Sequence, residues 1–257
     1  MGTVTVTTAR VASNRSVADG YYVLEIEAPD VAGRAEAGQF VMIRPPGDRY
    51  DPLLPRAFSM AARSRDTLTF VYKVVGRMTT ILSHLRPGEG LAVWGPLGRG
   101  FPLSGGRRYL LLGGGTGIAP LLDVATELSA RNARYVLVCG GRSGSDLAFV
   151  ERFEAGRDCL FYTEDGSLGT RGLVTEFLER TPLDGETVVF ACGPTPMLRG
   201  VSALAMERGV RCLVSVETPM ACGLGTCLGC TLPRREGEGY VRTCTEGPVF
   251  DVTEVRV

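Results

Sequence analysis

The chain has 257 residues, 28 Lys or Arg against 28 Asp or Glu, and a single His, for a formal charge of zero. That balance offers no global field to attract nucleic acid or an anionic membrane, and no apolar run approaches the roughly 20 residues of a membrane span. The opening segment has neither a charged start followed by an apolar core nor the Ser or Thr that myristoylation wants at position 6, where Val6 stands. The expected location is therefore the cytoplasm, and the expected organisation is two domains with a small appendage.

Short strand-like runs bounded by Gly, Pro or Asp fill the first hundred residues: YYVLEIEAP, GQFVMIRPP, LTFVYKVV and GLAVWGPLG. They predict an antiparallel barrel or sandwich over 1–103. One helical segment interrupts them from Met78, with Ile81, Leu82 and Leu85 on one face and Pro87-Gly88 as its stop. Beyond 103 the pattern alternates apolar strands (YLLLGGG, YVLVCGG, CLFYTEDG, TVVFACG, RCLVSVE) with amphipathic helices (APLLDVATELSARN, DLAFVERFEAG, GLVTEFLERT, PMLRGVSALAMERG). Strand and helix in alternation predict a parallel sheet covered by helices over 104–215. The remainder, 216–257, is glycine- and charge-rich and too small for a core of its own, so it is expected to need a metal to hold it.

Two glycine motifs lie at predicted strand ends. In LLLGGGTGIAP, Gly114, Gly115, Thr116 and Gly117 follow a buried strand and precede a helix, where a bare backbone and free N–H groups suit a phosphate. The motif departs from G-x-G-x-x-G, and a tight turn alone would need only a glycine or two. ACGPTPM carries Cys192, Gly193 and Pro194 to the same carboxyl edge of the sheet, making a cofactor cleft between the two loops. Together with RAFS at Arg56–Ser59, this pair of loops resembles the ferredoxin-reductase-like flavoproteins. The resemblance implies FAD on the barrel and NAD(P)H on the second domain. It implies Arg56 at the FAD pyrophosphate, Ala57 within the same motif, Phe58 along the isoalloxazine and Ser59 near its reactive nitrogen. Further flavin contacts are implied at Val71, Tyr72, Lys73, Gly76, Met78 and Thr79. A 2′-phosphate wants clustered basic residues; GGRSGSD supplies only Arg142, and YTEDGS supplies Glu164 and Asp165, so NADH is expected over NADPH.

Four of the eight cysteines form C-x4-C-x2-C-x13-C: Cys222, Cys227, Cys230 and Cys244. Such spacing belongs to plant-type [2Fe–2S] centres, and Gly223, Gly225 and Gly229 would let backbone N–H groups turn toward sulfur. A structural zinc site is the competing reading, although zinc usually takes two short knuckles and only one is present. Cys139, Cys159, Cys192 and Cys212 read as buried structural thiols.

With the tail included, the similarity is to the electron-transfer subunits of NAD-dependent dihydroorotate dehydrogenases. It runs through VGRMTTILSHLRPGEGLAVWGPLGRGFPL, GGGTGIAPL, DGSLGTRG, ACGPTPM, MACG and CTEGPVFDVTEV. RAFS stands where that family commonly has Arg-Pro-x-Ser, and GRMT where Gly-x-Gly-Thr is frequent. The resemblance implies an FMN-containing catalytic partner that oxidises dihydroorotate, in a heterotetramer with two subunits of each kind. A rival reading keeps the fold and cofactors but places the chain in another flavin and iron–sulfur complex, such as a ferredoxin:NADP reductase or a sulfur-reducing hydrogenase. A rival of another class is a zinc-bearing nucleotide-binding module without catalysis. His84 reads as an exposed helix residue, and no nucleophilic triad is indicated, so substrate carbon chemistry is expected on the partner.

Overall fold

The computed structural model describes residues 4–47, 51–154 and 159–257. Met1-Gly2 and the end of the DLAFVERFEAG segment lie outside the described residues.

Strands β1 (Thr5–Ala18) and β2 (Tyr21–Glu27) form a long hairpin, followed by the single turn α1 (Pro29–Ala32) and by β3 (Phe40–Arg44), β4 (Arg56–Ser59), β5 (Ala62–Arg63) and β6 (Thr67–Lys73). Helix α2 (Arg77–Ser83) and strand β7 (Gly90–Leu97) complete the first unit. Its sheet has the order β4-β3-β7-β1-β2-β6-β5, with every pairing antiparallel. Phe58 on β4 sits edge-on to Phe70 and Tyr72 on β6, with centroids 6.3 and 6.4 Å away. Strands near opposite ends of the sheet thus share one core, which curls the sheet into a half-barrel around Leu24, Ile26, Val41, Ile43, Phe70 and Val93. The alternating N-terminal run forms the longest strand among the described residues.

In the second unit β8 (Arg108–Gly114), α3 (Ile118–Ala130), β9 (Arg134–Gly141), β10 (Leu160–Thr163), β11 (Thr170–Arg171), α4 (Val174–Arg180), β12 (Thr187–Cys192), α5 (Thr195–Glu207) and β13 (Arg211–Ser215) follow in order. In the tail, β14 (Thr231–Pro233) pairs with β15 (Tyr240–Arg242), and β16 (Val249–Asp251) ends the series. The second sheet has the order β11-β10-β9-β8-β12-β13-β16; it is parallel except for β16, which lies antiparallel to β13. The tail therefore closes one edge of the parallel sheet, and Phe250, Val252 and Val255 pack into the core with Val214 and Val189. Apolar burial holds this end of the tail, beyond whatever a metal contributes.

One expected helix is replaced. DLAFVERF forms two single 3₁₀ turns, Gly144–Leu147 and Val150–Arg152, and Phe153 is extended. Tertiary contacts override its helical pattern: Phe149 stacks on Tyr21 of β2 at 5.9 Å, and Asp146 is bonded to Tyr21 and Lys73 of the half-barrel. No helix among the described residues is long and apolar enough to cross a membrane.

Candidate functional site

A cavity of about 1480 Å³ opens between the half-barrel, the carboxyl edge of the parallel sheet and the start of the tail. That exceeds the roughly 300–1,000 Å³ of an ordinary small-molecule site and leaves room for more than one nucleotide cofactor. The half-barrel contributes RAFS, the end of β6 and the start of α2. Thr79 organises this last corner, accepting from the N–H groups of Val75 and Gly76 at 3.0 and 3.2 Å. On β4 Phe58 points inward, 9% exposed, whereas Arg56 and Ala57 at the start of the strand are exposed. Phe58 and Tyr72 thus support the cavity wall largely from the barrel core; the Tyr72 hydroxyl donates to Asn14 at 3.1 Å. The Arg56 guanidinium donates to the carbonyls of Leu54 and Pro55, both at 3.0 Å.

Both glycine loops line the cavity and touch each other. A Cβ on Gly117 would lie 2.6 Å from the Cys192 carbonyl oxygen and from the Gly193 nitrogen, so only a bare α-carbon fits there. Of the expected cofactor residues, all line the cavity except Cys192, which is 2% exposed, and burial pushes its thiol well up. Cys139 and Cys212 are likewise buried, and Cys159 is half-buried. Glu164 lines the cavity, whereas Asp165 accepts from Ser167 in a turn. His84 is exposed at the end of α2, its Nδ1 2.7 Å from the Thr80 carbonyl.

The motifs legible in the sequence leave two further parts of the wall unaccounted for. Tyr21 and Asp146 join Lys73 there, and Glu217, Thr218, Pro219 and Met220 form the segment that leads into Cys222. The position of ETPM directly before the first clustered cysteine was the available signal for the second.

The four clustered cysteines follow this segment in the tail. Cys230 and Cys244 are buried against Phe40, Met42 and Leu97 of the half-barrel, with Trp94 and Met220 beside them. Trp94 Nε1 donates to the Cys222 carbonyl at 3.2 Å. A Cβ on Gly223 would come 2.7 Å from Met42, and its φ of +71° is one that side chains rarely adopt. Among the described residues no three Cys, His, Asp or Glu side chains gather about one point as a single metal ion needs. Cys222 neighbours Cys227, Cys230 neighbours Cys244, and Cys244 also feels Cys222. One short knuckle followed by a distant fourth cysteine fits the two irons of a [2Fe–2S] centre better than the two short knuckles usual for zinc. Burial raises the Cys222 thiol, but N–H groups of Cys227, Leu224 and Thr226 and the Cys227 side chain outweigh it and hold the thiol at about 7. The Leu224 N–H lies 3.3 Å from that sulfur. Burial beside Cys230 pushes Cys244 to about 12, opposed by the Gly225 N–H. A thiolate in such an amide nest is prepared for a metal, which supplies the charge that desolvation opposes.

Comparison with known proteins agrees with this division. Residues 217–256 match the iron–sulfur cluster binding domain of dihydroorotate dehydrogenase B, and 111–203 match the oxidoreductase NAD-binding domain. The dihydroorotate dehydrogenase B (NAD(+)) electron transfer subunit of Caldanaerobacter subterraneus subsp. tengcongensis is 39% identical over 250 residues, 96% of this chain and 97% of that protein. The subunit from Bacillus caldolyticus is 37% identical over 252 residues, 95% of this chain and 96% of that protein. Among solved structures, an NADH-dependent reduced ferredoxin-NADP oxidoreductase studied for flavin-based electron bifurcation superimposes with a TM-score of 0.85 at 30% identity, covering 100% of this chain and 91% of that one. A ferredoxin NADP+ reductase from Neisseria gonorrhoeae with bound FAD and NADP shares the fold, with a TM-score of 0.68 at 20% identity over 79% of this chain and 92% of that one. A half-barrel and a parallel sheet around one cleft, closed by a tail with four clustered cysteines, place the chain in the family of electron-transfer subunits of NAD-dependent dihydroorotate dehydrogenase B.

Proposed function

We propose that this chain carries electrons between NAD(H) and a dihydroorotate-oxidising FMN subunit, working in the cytoplasm in a heterotetramer with two subunits of each kind. One observation carries the reading: Phe40 and Met220 belong both to the wall of the nucleotide cavity and to the apolar cluster packed on Cys230 and Cys244. A single layer of side chains therefore divides the place where a hydride would arrive from the place where single electrons would leave. FAD accepts electrons in pairs and releases them singly, and a two-iron centre carries one at a time.

In this reading Arg56 swings from the Leu54 and Pro55 carbonyls to the FAD pyrophosphate, a planar donor fork suited to phosphate. Ala57, exposed, and Ser59, half-buried, follow on the same strand, and Val71, Lys73, Gly76, Met78 and Thr79 complete the flavin wall, with Phe58 and Tyr72 behind it. Gly114, Gly115, Thr116 and Gly117 take the NADH phosphates with Gly193 and Pro194, while Cys192 holds its loop from the core. Glu164 disfavours a 2′-phosphate by charge. Cys222, Cys227, Cys230 and Cys244 ligate the cluster. The overall balance is two electrons and two protons lost from dihydroorotate as orotate forms, a hydride gained by NAD+ and one proton released.

Co-purification with a candidate catalytic subunit tests this directly: the complex should reduce NAD+ on addition of dihydroorotate, and the chain alone should not. A complex that assembles with both cofactors yet ignores dihydroorotate would overturn the substrate assignment. The full-length superposition on the ferredoxin-NADP oxidoreductase favours a second reading, in which the partner exchanges electrons with ferredoxin. Adding reduced ferredoxin to the same complex distinguishes the two.

A further inference from the structure

Among the described residues, four buried side-chain hydroxyls have no hydrogen-bond partner: Ser202, Thr218, Thr243 and Thr245. An unpaired buried hydroxyl loses its bonds to water without replacement, and native chains seldom tolerate one without a reason. Ser202 lies on α5. Thr243 and Thr245 are different, for they flank Cys244 on either side and are 0% and 8% exposed.

Both are fixed within the cysteine nest. The Thr243 N–H donates to the Cys230 carbonyl at 2.9 Å. Thr245 stands over the first loop of the motif, where a Cβ built on Gly225 would meet Thr245 Cγ2 at 2.9 Å and Oγ1 at 3.5 Å. Gly225 in turn directs its N–H to the Cys244 sulfur. The two threonines therefore lie between the loop holding the first three cysteines and the isolated fourth. Valine has nearly the same shape and would be buried there without an orphaned hydroxyl, so threonine at both positions implies an acceptor. Among the described residues no protein atom serves as one. The bridging sulfides and metal-bound thiolates of an iron–sulfur centre are the acceptors that this nest would gain.

We propose that Thr243 and Thr245 donate their hydroxyl hydrogens to sulfur atoms of the two-iron centre and so raise its reduction potential. The inference rests on the cluster reading above. Reduction adds negative charge to the centre, so a donor aimed at sulfur favours the reduced form more than the oxidised one. Both threonines act through the centre as positioning residues, and NAD(H) and the flavin cleft are untouched.

The test uses the full chain carrying its FAD, with Thr243→Val, Thr245→Val and the corresponding serine variants. Iron and acid-labile sulfide are assayed first, followed by a dithionite titration read by electron paramagnetic resonance. Each valine variant should keep its cluster but shift the reduction equilibrium about tenfold toward the oxidised form, about 59 mV for one electron. The serine variants should stay near wild type, and NADH-to-dye activity should not change. Alanine at either position repeats the test should a valine fail to fold. Cluster-bearing valine or alanine variants at the wild-type potential would overturn the hydroxyl assignment alone. Wild-type protein devoid of acid-labile sulfide would overturn the cluster reading, and this inference with it.

Discussion

Lys73 at the end of β6 donates to the carboxylate of Asp146, 3.0 Å away in the nucleotide domain, and the Tyr21 hydroxyl donates to the same oxygen at 2.7 Å. The Lys73 ammonium also lies 4.6 Å from the centre of the Tyr21 ring. This contact joins the two domains on the wall of the cofactor cavity. Burial raises the Asp146 carboxyl, but bonds from Tyr21 and Lys73 and the charges of Lys73 and Arg142 outweigh it and hold it below its ordinary value. The bond to Asp146, followed by that to Tyr21, moves Lys73 upward. Asp146→Ala should lower unfolding stability by about 1–3 kcal/mol, the cost of a charged hydrogen bond and its orphaned partner. A carboxylate with a depressed folded pKa stabilises above its unfolded value near 3.9 and loses that contribution as pH falls through the folded one. The difference between wild type and variant should therefore be flat from about pH 5 to 9 and shrink below about pH 4. Denaturant titrations at several pH values check this, and a difference that grows with acid would contradict it.

A second interdomain pair behaves in the opposite sense. Asp123 on α3 is 3% exposed and lies 2.9 Å from Arg63 on β5, with Glu127 and Arg131 close by. Burial pushes its carboxyl up to about 6 against the pull of Arg63. An acid whose folded pKa exceeds its unfolded value holds extra protons in the native state, so its contribution to stability falls as pH rises from about 4 to 6. Asp123→Asn removes that titration. Relative to wild type, the variant should gain up to roughly 3 kcal/mol between about pH 4 and pH 7. A pH-independent difference would rule out a protonated Asp123 at acid pH.

These pairs mark what the sequence could not convey. RAFS, the two glycine loops and the cysteine spacing were legible because each requirement is local: a strand end, a bare α-carbon, a short ligand loop. Asp146 was not, since its partners Lys73 and Tyr21 are 73 and 125 residues away in the chain, and their pull replaces a helix with 3₁₀ turns. β16 was legible as a short strand, but its place beside β13 depends on which sheet edge remains open. Phe58 faces inward because it packs on Phe70 and Tyr72 across the half-barrel, while the expected flavin contact came from resemblance, which does not carry side-chain direction.

Cys227 is exposed, and its thiol faces Cys222. Cys227→Ser should abolish the cluster's paramagnetic signal and reduce bound iron while leaving FAD content and NADH-to-dye reduction largely intact, because none of the four clustered cysteines lines the nucleotide cavity. Simultaneous loss of flavin would mean that the tail and the cleft fold as one cooperative unit.

Arg56 presents an exposed guanidinium at the cavity, bonded to carbonyls of its own loop. Arg56→Ala should weaken FAD retention about ten- to a hundredfold, the value of a charge-assisted bond to phosphate, with little change in stability. Flavin content after gel filtration is the readout, and unchanged occupancy would remove Arg56 from the pyrophosphate site.

Gly117 and Gly115 separate packing from backbone strain within one loop. Gly115 has φ +55°, and a methyl group added there would meet nothing within 4 Å, so Gly115→Ala carries only the left-handed penalty of about 1–2 kcal/mol. Gly117 has an ordinary helical φ of −64°, but its methyl would collide at 2.6 Å with backbone atoms of Cys192 and Gly193. Backbone cannot step aside as a side-chain tip can, so Gly117→Ala should force the two loops apart. Affinity for NADH should fall at least about tenfold, the effect of roughly 1.4 kcal/mol, while FAD remains on the half-barrel, and Gly115→Ala should bind NADH more tightly than Gly117→Ala does. Isothermal titration of NADH into the two flavin-loaded variants decides the order, and the reverse ranking would show that loop conformation, rather than contact between the loops, shapes the site.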